Sequence, residues 1–150
     1  MGRMGFSQGK GIIKALESAR HALCDGRYHE ARKEIPRQFN NRHLENGETI
    51  VTAAVKRLNQ HSLLLSWWQN ETDKSLYKSS TAENYEEQQA ESIGDCMRVI
   101  RKTMDATDNW NRANQAGEEP LALLERNPFA ETIKKQLFGD KKISAPYLRP

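Results

Sequence analysis

Apolar residues recur along most of this chain at intervals of three and four, the spacing that lines one face of an α-helix. Phe6, Ile12, Ile13, Leu16, Ala19 and Leu23 place a first helix over residues 7–23. Asp25-Gly26 ends it, glycine suiting the left-handed position that follows a helix. A second helix over residues 28–35 stops before Pro36, whose ring disfavours a helical residue ahead of it. Residues 37–46 are polar, rich in Asn, Arg and His, and read as a loop with at most one helical turn. Asn46-Gly47 then stands where a helix cap is needed.

The most apolar window runs from Glu48 to Lys78. Val51, Ala54, Val55, Leu58, Leu65 and Trp68 keep helical spacing within it. Leu63-Leu64-Leu65-Ser66-Trp67-Trp68 is apolar nearly all round, which predicts burial on several sides. A helix-turn-helix over residues 51–68 is the competing reading, but its second helix, Ser62 to Trp68, carries no basic residue to meet DNA. One continuous buried helix is expected.

Ser80 and Glu83 have the spacing of a capping box for the next helix, predicted over residues 81–116. Its stripe is Tyr85, Gln89, Ile93, Cys96, Ile100, Met104, Thr107 and Trp110 or Asn111, and Arg98, Arg101 and Lys102 take the other side. Gly117-Glu118-Glu119-Pro120 breaks the pattern. A short helix from Pro120 through Arg126 follows, then a last one with Phe129, Ile133 and Leu137 inward, stopped at Gly139. Strand-like alternation persists nowhere. The expected fold is all-α: a bundle of about five helices around a central apolar helix, forming one domain over residues 1–139, with an extended C-terminal tail over 140–150.

Composition narrows the setting. Of 150 residues, 37% are apolar and 29% charged, which suits a helical domain with much wetted surface or one that completes its core against a partner. No run approaches the roughly 20 apolar residues of a membrane-spanning helix. The first residues lack the apolar stretch of a signal peptide, so a cytoplasmic location is expected. In such a compartment Cys24 and Cys96, both placed inward on helices, fit buried free thiols better than a disulfide.

The net charge of +3 is unevenly spread. Residues 1–60 hold 11 Lys and Arg against 6 Asp and Glu, residues 61–120 the reverse, and residues 121–150 hold 6 against 3. Such a basic–acidic–basic chain can attract phosphate, pair head to tail with a neighbouring copy, or neutralise itself within the fold.

Little in the sequence asks for catalysis. His21, Cys24 and His29 lie close together but lack the fourth ligand of a closed zinc site, so no metal is expected. Gly2, Gly5, Gly9 and Gly11 follow no strand and form no phosphate-cradling loop, and no cofactor is expected. Glu86-Glu87 and Glu118-Glu119 are adjacent in sequence and point to different sides of a helix. The chain reads as a non-enzyme.

Two sets of residues suggest binding instead. Arg27, Arg32, Lys33, Arg37, Arg42, Lys56 and Arg57, interleaved with Asn40, Asn41, His43, Asn59 and Gln60, suit sequence-independent contact with nucleic-acid backbone. Glu30, Glu34, Glu45 and Glu48 among them equally suit a solvated face. Trp67, Trp68, Tyr147 and Leu148 are candidate anchors for a protein partner.

The turn Gly26-Arg27-Tyr28-His29-Glu30-Ala31 resembles that of tetratricopeptide repeats, but no second copy follows at their period of about 34 residues. A wider arrangement is similar to the small helical subunits of multi-subunit CRISPR effector complexes. A helix ends in Glu34-Ile35-Pro36, and a loop leads to Asn46-Gly47. An apolar helix with Ile50-Val51 and Ala53-Ala54-Val55 follows at once, and Trp110 stands near the end of a later helix. That resemblance implies a non-catalytic all-helical subunit that stacks along a complex and holds nucleic-acid backbone with a basic face. The rival expectation is a protein–protein adaptor or inhibitor, of the kind phage and plasmid regulators provide, binding a host protein without nucleic acid.

Overall fold

A computed structural model describes the backbone of residues 2–70 and 79–139, and the side chains of 11–70 and 84–139. The described residues form six helices: α1 (Gly2–Cys24), α2 (Tyr28–Glu34), α3 (Ile50–Asn70), α4 (Ser79–Ala106), α5 (Pro120–Glu125) and α6 (Ala130–Phe138). There is no strand among the described residues, and the all-α helical bundle is as expected. No described helix is long and apolar enough to cross a membrane. The Ser80–Glu83 capping box, the side chain of Phe6, and the tail with Tyr147 and Leu148 lie outside what is described.

The α1–α2 hairpin closes as its sequence predicts. Gly26 has φ 78°, a left-handed conformation that costs a glycine little. Its amide donates to the Leu23 carbonyl at 3.2 Å and the Arg27 amide to Ala22 at 2.8 Å. That pair of bonds satisfies the last carbonyls of α1. Leu16, Ala19, Ala22 and Leu23 then face Ala31 and Ile35 in the common core. Cys24 does not follow them. With Ala22 and Leu23 on the inner face, the next position turns outward, so Cys24 is exposed, contrary to expectation.

α3 is the axis of the bundle. Ile50 through Val55 and then Leu58 are buried, so its first turn and a half is enclosed all round. Buried polar groups at its start are satisfied locally: the Thr49 hydroxyl accepts from the Thr52 amide at 3.0 Å, and the Thr52 hydroxyl accepts from the Thr49 amide at 2.9 Å. Thr49 therefore caps the helix reciprocally, two residues beyond the expected Asn46-Gly47. Gly47 instead makes a turn with φ 85°, and a Cβ there would stand 2.8 Å from the Gln115 side-chain oxygen.

α3 and α4 run antiparallel, as two pairings along them show. The Trp68 and Tyr85 rings lie 5.1 Å apart, and the His61 Nδ1 meets the Gln89 Oε1 at 2.8 Å. The helix is continuous through residues 51–68, so the helix-turn-helix alternative fails. Its second half is less enclosed than expected. Trp68 and Ser62 are buried, but Leu63, Leu64 and Trp67 are 57%, 39% and 54% exposed. Only one side of this half meets α4, and positions 63, 64 and 67 share the opposite side.

The largest departure is at the end of α4, which stops at Ala106, not near residue 116. The Ala106 carbonyl, which would accept the next helical bond, accepts the Phe39 amide instead at 3.0 Å. Beyond it Thr107 donates to the Asn109 Oδ1, and that same oxygen accepts the Asn41 amide. Short polar side chains offer the backbone such alternatives to helix. Trp110 is nonetheless fully buried, its indole N–H donating to the Thr103 hydroxyl at 3.0 Å and its ring edge-on to Phe138.

α5 begins and α6 ends where the sequence places them. Pro120 occupies the first turn of α5, and Gly139 stops α6. α5 is tied to α3 through Asn59, whose amide donates to the Leu123 carbonyl at 2.8 Å and whose oxygen accepts from Asn127 at 2.8 Å.

Candidate nucleic-acid interface

The seven basic residues singled out by sequence divide into two groups. Arg27, Lys56 and Arg57 are bonded to other side chains of the chain, the first two at its surface. Arg27, at the hairpin turn, bridges Asp25 at 3.0 Å and also Glu30. Lys56 lies 2.9 Å from both Glu48 and Glu118, joining α3 to the segment before α5. Burial lowers the proton affinity of its ammonium, and the two carboxylates more than reverse that, leaving the pKa raised.

Arg57 serves a partly buried polar relay. Its Nε and Nη2 donate to the Tyr28 hydroxyl at 3.1 and 2.7 Å, and its Nη1 to Gln60 at 2.7 Å. The same hydroxyl meets His61 Nε2 at 2.5 Å. Because the Gln89 oxygen only accepts, His61 carries its proton on Nδ1, and Nε2 accepts from Tyr28. The chain of donation is thus Arg57 to Tyr28 to His61 to Gln89, fixing α2 on α3 and α4.

Cys96 packs beside this relay. Burial pushes its thiol up to about 12, against the opposing pull of the Arg57 charge and the Tyr28 hydrogen bond. The Tyr28 phenol is raised by burial and by Cys96, with Arg57 opposing. A thiol held in its neutral form lacks the thiolate that nucleophilic attack requires.

Arg32, Lys33, Arg37 and Arg42 form the second group. All four are exposed, and none has an ion pair among the described residues. Arg32 and Lys33 end α2, while Arg37 and Arg42 lie on the segment that follows. The structure adds Arg98 and Lys102, one turn apart on the α4 side that meets α2. Lys102 donates to the Arg32 carbonyl. Its ammonium is held below the usual range by burial and then by the Arg32 charge. Spacing alone shows a basic stripe on α4 at these positions, but only the crossing of α2 over α4 joins it to Arg32.

The expected partner anchors also separate. Trp67 is exposed beside Leu63 and Leu64, whereas Trp68 is 4% exposed and packs between Trp67 and Tyr85. On the other side of this half of α3, a groove of about 310 Å³ runs between α3, α4 and α6, floored by Leu65, Ile93, Met97, Phe129 and Ile133. His21, Cys24 and His29 make no metal cluster, nor does any group of three such ligands among the described residues.

Compared with protein-family models, with curated proteins and with solved structures, the chain matches none.

Proposed function

We propose that this chain is a non-enzymatic helical subunit of a nucleoprotein assembly, contacting nucleic-acid backbone through the α2 end and the segment after it. The observation that carries the reading is the set Arg32, Lys33, Arg37 and Arg42. These cations stay exposed and without ion pairs among the described residues, while the other three candidates are consumed internally. Cations on a short helix and an adjoining irregular segment suit phosphate contact but lack the groove-entering helix of sequence-specific readers. α4 and the exposed end of α3 are the surfaces left for neighbouring subunits. A small subunit of a CRISPR effector complex, which residues 34–55 resemble, is one component of this kind.

The test is anisotropy of a short labelled single strand of mixed sequence across a salt series. Four phosphate contacts imply a slope of log affinity on log salt of about −3. Reversing Arg32, Lys33, Arg37 and Arg42 to Glu is expected to abolish binding. Unchanged affinity in that variant overturns the reading.

A second reading is favoured by Leu63, Leu64 and Trp67: a protein–protein adaptor that docks by this apolar end. Clustered exposed apolar residues of this kind mark interaction surfaces. It predicts salt-indifferent capture of a protein partner and loss of that capture in Trp67→Ser.

A further inference from the structure

The crossing of α2 over α4 leaves a depression of about 170 Å³ lined by Tyr28, His29, Arg32, Asp95 and Arg98. Its position is not adjustable, because the Tyr28 relay to Arg57, His61 and Gln89 pins the floor. Two guanidinium groups reach it from different helices. Arg98 is oriented by Asp95 through Nη1 at 2.5 Å, which leaves Nε and Nη2 to serve a ligand. Asp95 is the one carboxylate in the lining, so two guanidinium charges face one negative charge. Lys102, one turn further along α4, brings a third cation to the same crossing through its bond to the Arg32 carbonyl. Burial, and after it the Arg32 charge, holds the Lys102 ammonium below its usual range.

We propose that this depression is a phosphate-binding site, in which Arg32 and Arg98 grip one phosphate group from two sides and His29 adds a further N–H. Planar guanidinium forks match phosphate oxygens in pairs, which a point charge cannot do. The depression has room for a tetrahedral anion, and its guanidinium and imidazole lining suits negative charge. The ligand chemistry is therefore a phosphate group, either free or part of a nucleic-acid backbone. The second source rests on the function proposed above, and the first does not.

The experiment is an NMR titration of the full chain with inorganic phosphate at low ionic strength, with chloride as the control. It follows the His29 ring and the Nε–H signals of Arg32 and Arg98. Saturable shifts at these groups are expected, and Arg98→Gln should weaken binding at least tenfold. The Arg98 side chain is 54% exposed, so its replacement leaves the fold intact, and His29→Asn gives a second variant. Absence of a saturable response, or one unchanged in both variants, overturns the site. A parallel arm titrates a short single strand into wild type and Arg98→Gln. Loss of strand affinity in the variant makes backbone the phosphate source. If free phosphate binds and no strand does, the site stands and the nucleoprotein reading falls. If free phosphate binds here and a strand binds with Arg98 and His29 undisturbed, the site stands with free phosphate as its ligand and the backbone source falls.

Discussion

The two halves of α3 are built from similar apolar residues and end in opposite environments. Around its first half the chain closes with asparagine side chains. Asn41 donates to the Asn109 and Trp110 carbonyls at 3.1 Å each. Asn114 donates to Glu48 and Glu118 and accepts from the Ala116 and Glu118 amides. Asn111 donates to Glu119 at 2.9 Å and accepts from Leu121. Irregular backbone can be buried only when its amides and carbonyls find partners, and here short amide side chains supply them. Around the second half no described segment does this. There Leu63, Leu64 and Trp67 stay exposed, on the side of α3 turned away from the apolar groove. Polar side chains, not apolar ones, decide which end of this helix is sealed.

The contrast can be broken most forcefully at Trp110. Trp110→Ala removes a wholly buried indole from the closed end and should cost about 3–5 kcal/mol, read as a fall in denaturant midpoint. A loss below about 1 kcal/mol would mean that the closed end contributes little to the fold. Next comes Asn41→Ala, which leaves two backbone carbonyls without this donor and is expected to cost about 1–3 kcal/mol. Hydrogen exchange should speed first at the Phe39, Asn41 and Arg112 amides, and unchanged protection there would contradict the stapling role.

Acid sharpens the comparison more gently. Hydrogen bonds from Asn114 and Lys56 hold the Glu118 carboxyl below its ordinary value of 4.5, despite a small opposing effect of burial. A lowered folded-state pKa gives stability that is complete above 4.5 and is lost as pH falls through the lower folded value. Amides of the closed end should lose protection below that pH, those of Leu63–Trp67 should not, and Glu118→Gln should flatten the difference. The smallest effect is at the open end. Leu63→Ser and Trp67→Ser should each change stability by no more than about 0.5 kcal/mol. Acrylamide should quench Trp67 emission and spare Trp68 and Trp110; equal quenching of all three would show that the two halves do not differ.

Features that depend on neighbours in sequence were legible. The α1–α2 turn follows from Gly26, the start of α5 from Pro120 and the stop of α6 from Gly139, because each acts on the backbone within a few residues. The end of α4 was not legible. It is set by Phe39, which takes the Ala106 carbonyl from far away in the chain. Candidate-site residues divide in the same manner. Arg27 pairs with Asp25 and Glu30 close by, a loss the sequence could have shown. Lys56 and Arg57 are claimed by Glu118 and Tyr28, which only folding brings near.

By itself the sequence determined an all-α chain, its helical hairpin, the inward face of α3 at Val51, Ala54, Val55 and Leu58, and an inward position for Trp110 or Asn111. Helical periodicity and local breakers suffice for these, since they state which side of a helix avoids water and where a helix must stop. Tertiary structure alone decided which apolar side chains find a cover and which cations find a carboxylate. Leu58 and Leu63 are chemically alike, and Arg32 and Arg57 carry the same charge. They differ in what the rest of the chain places against them.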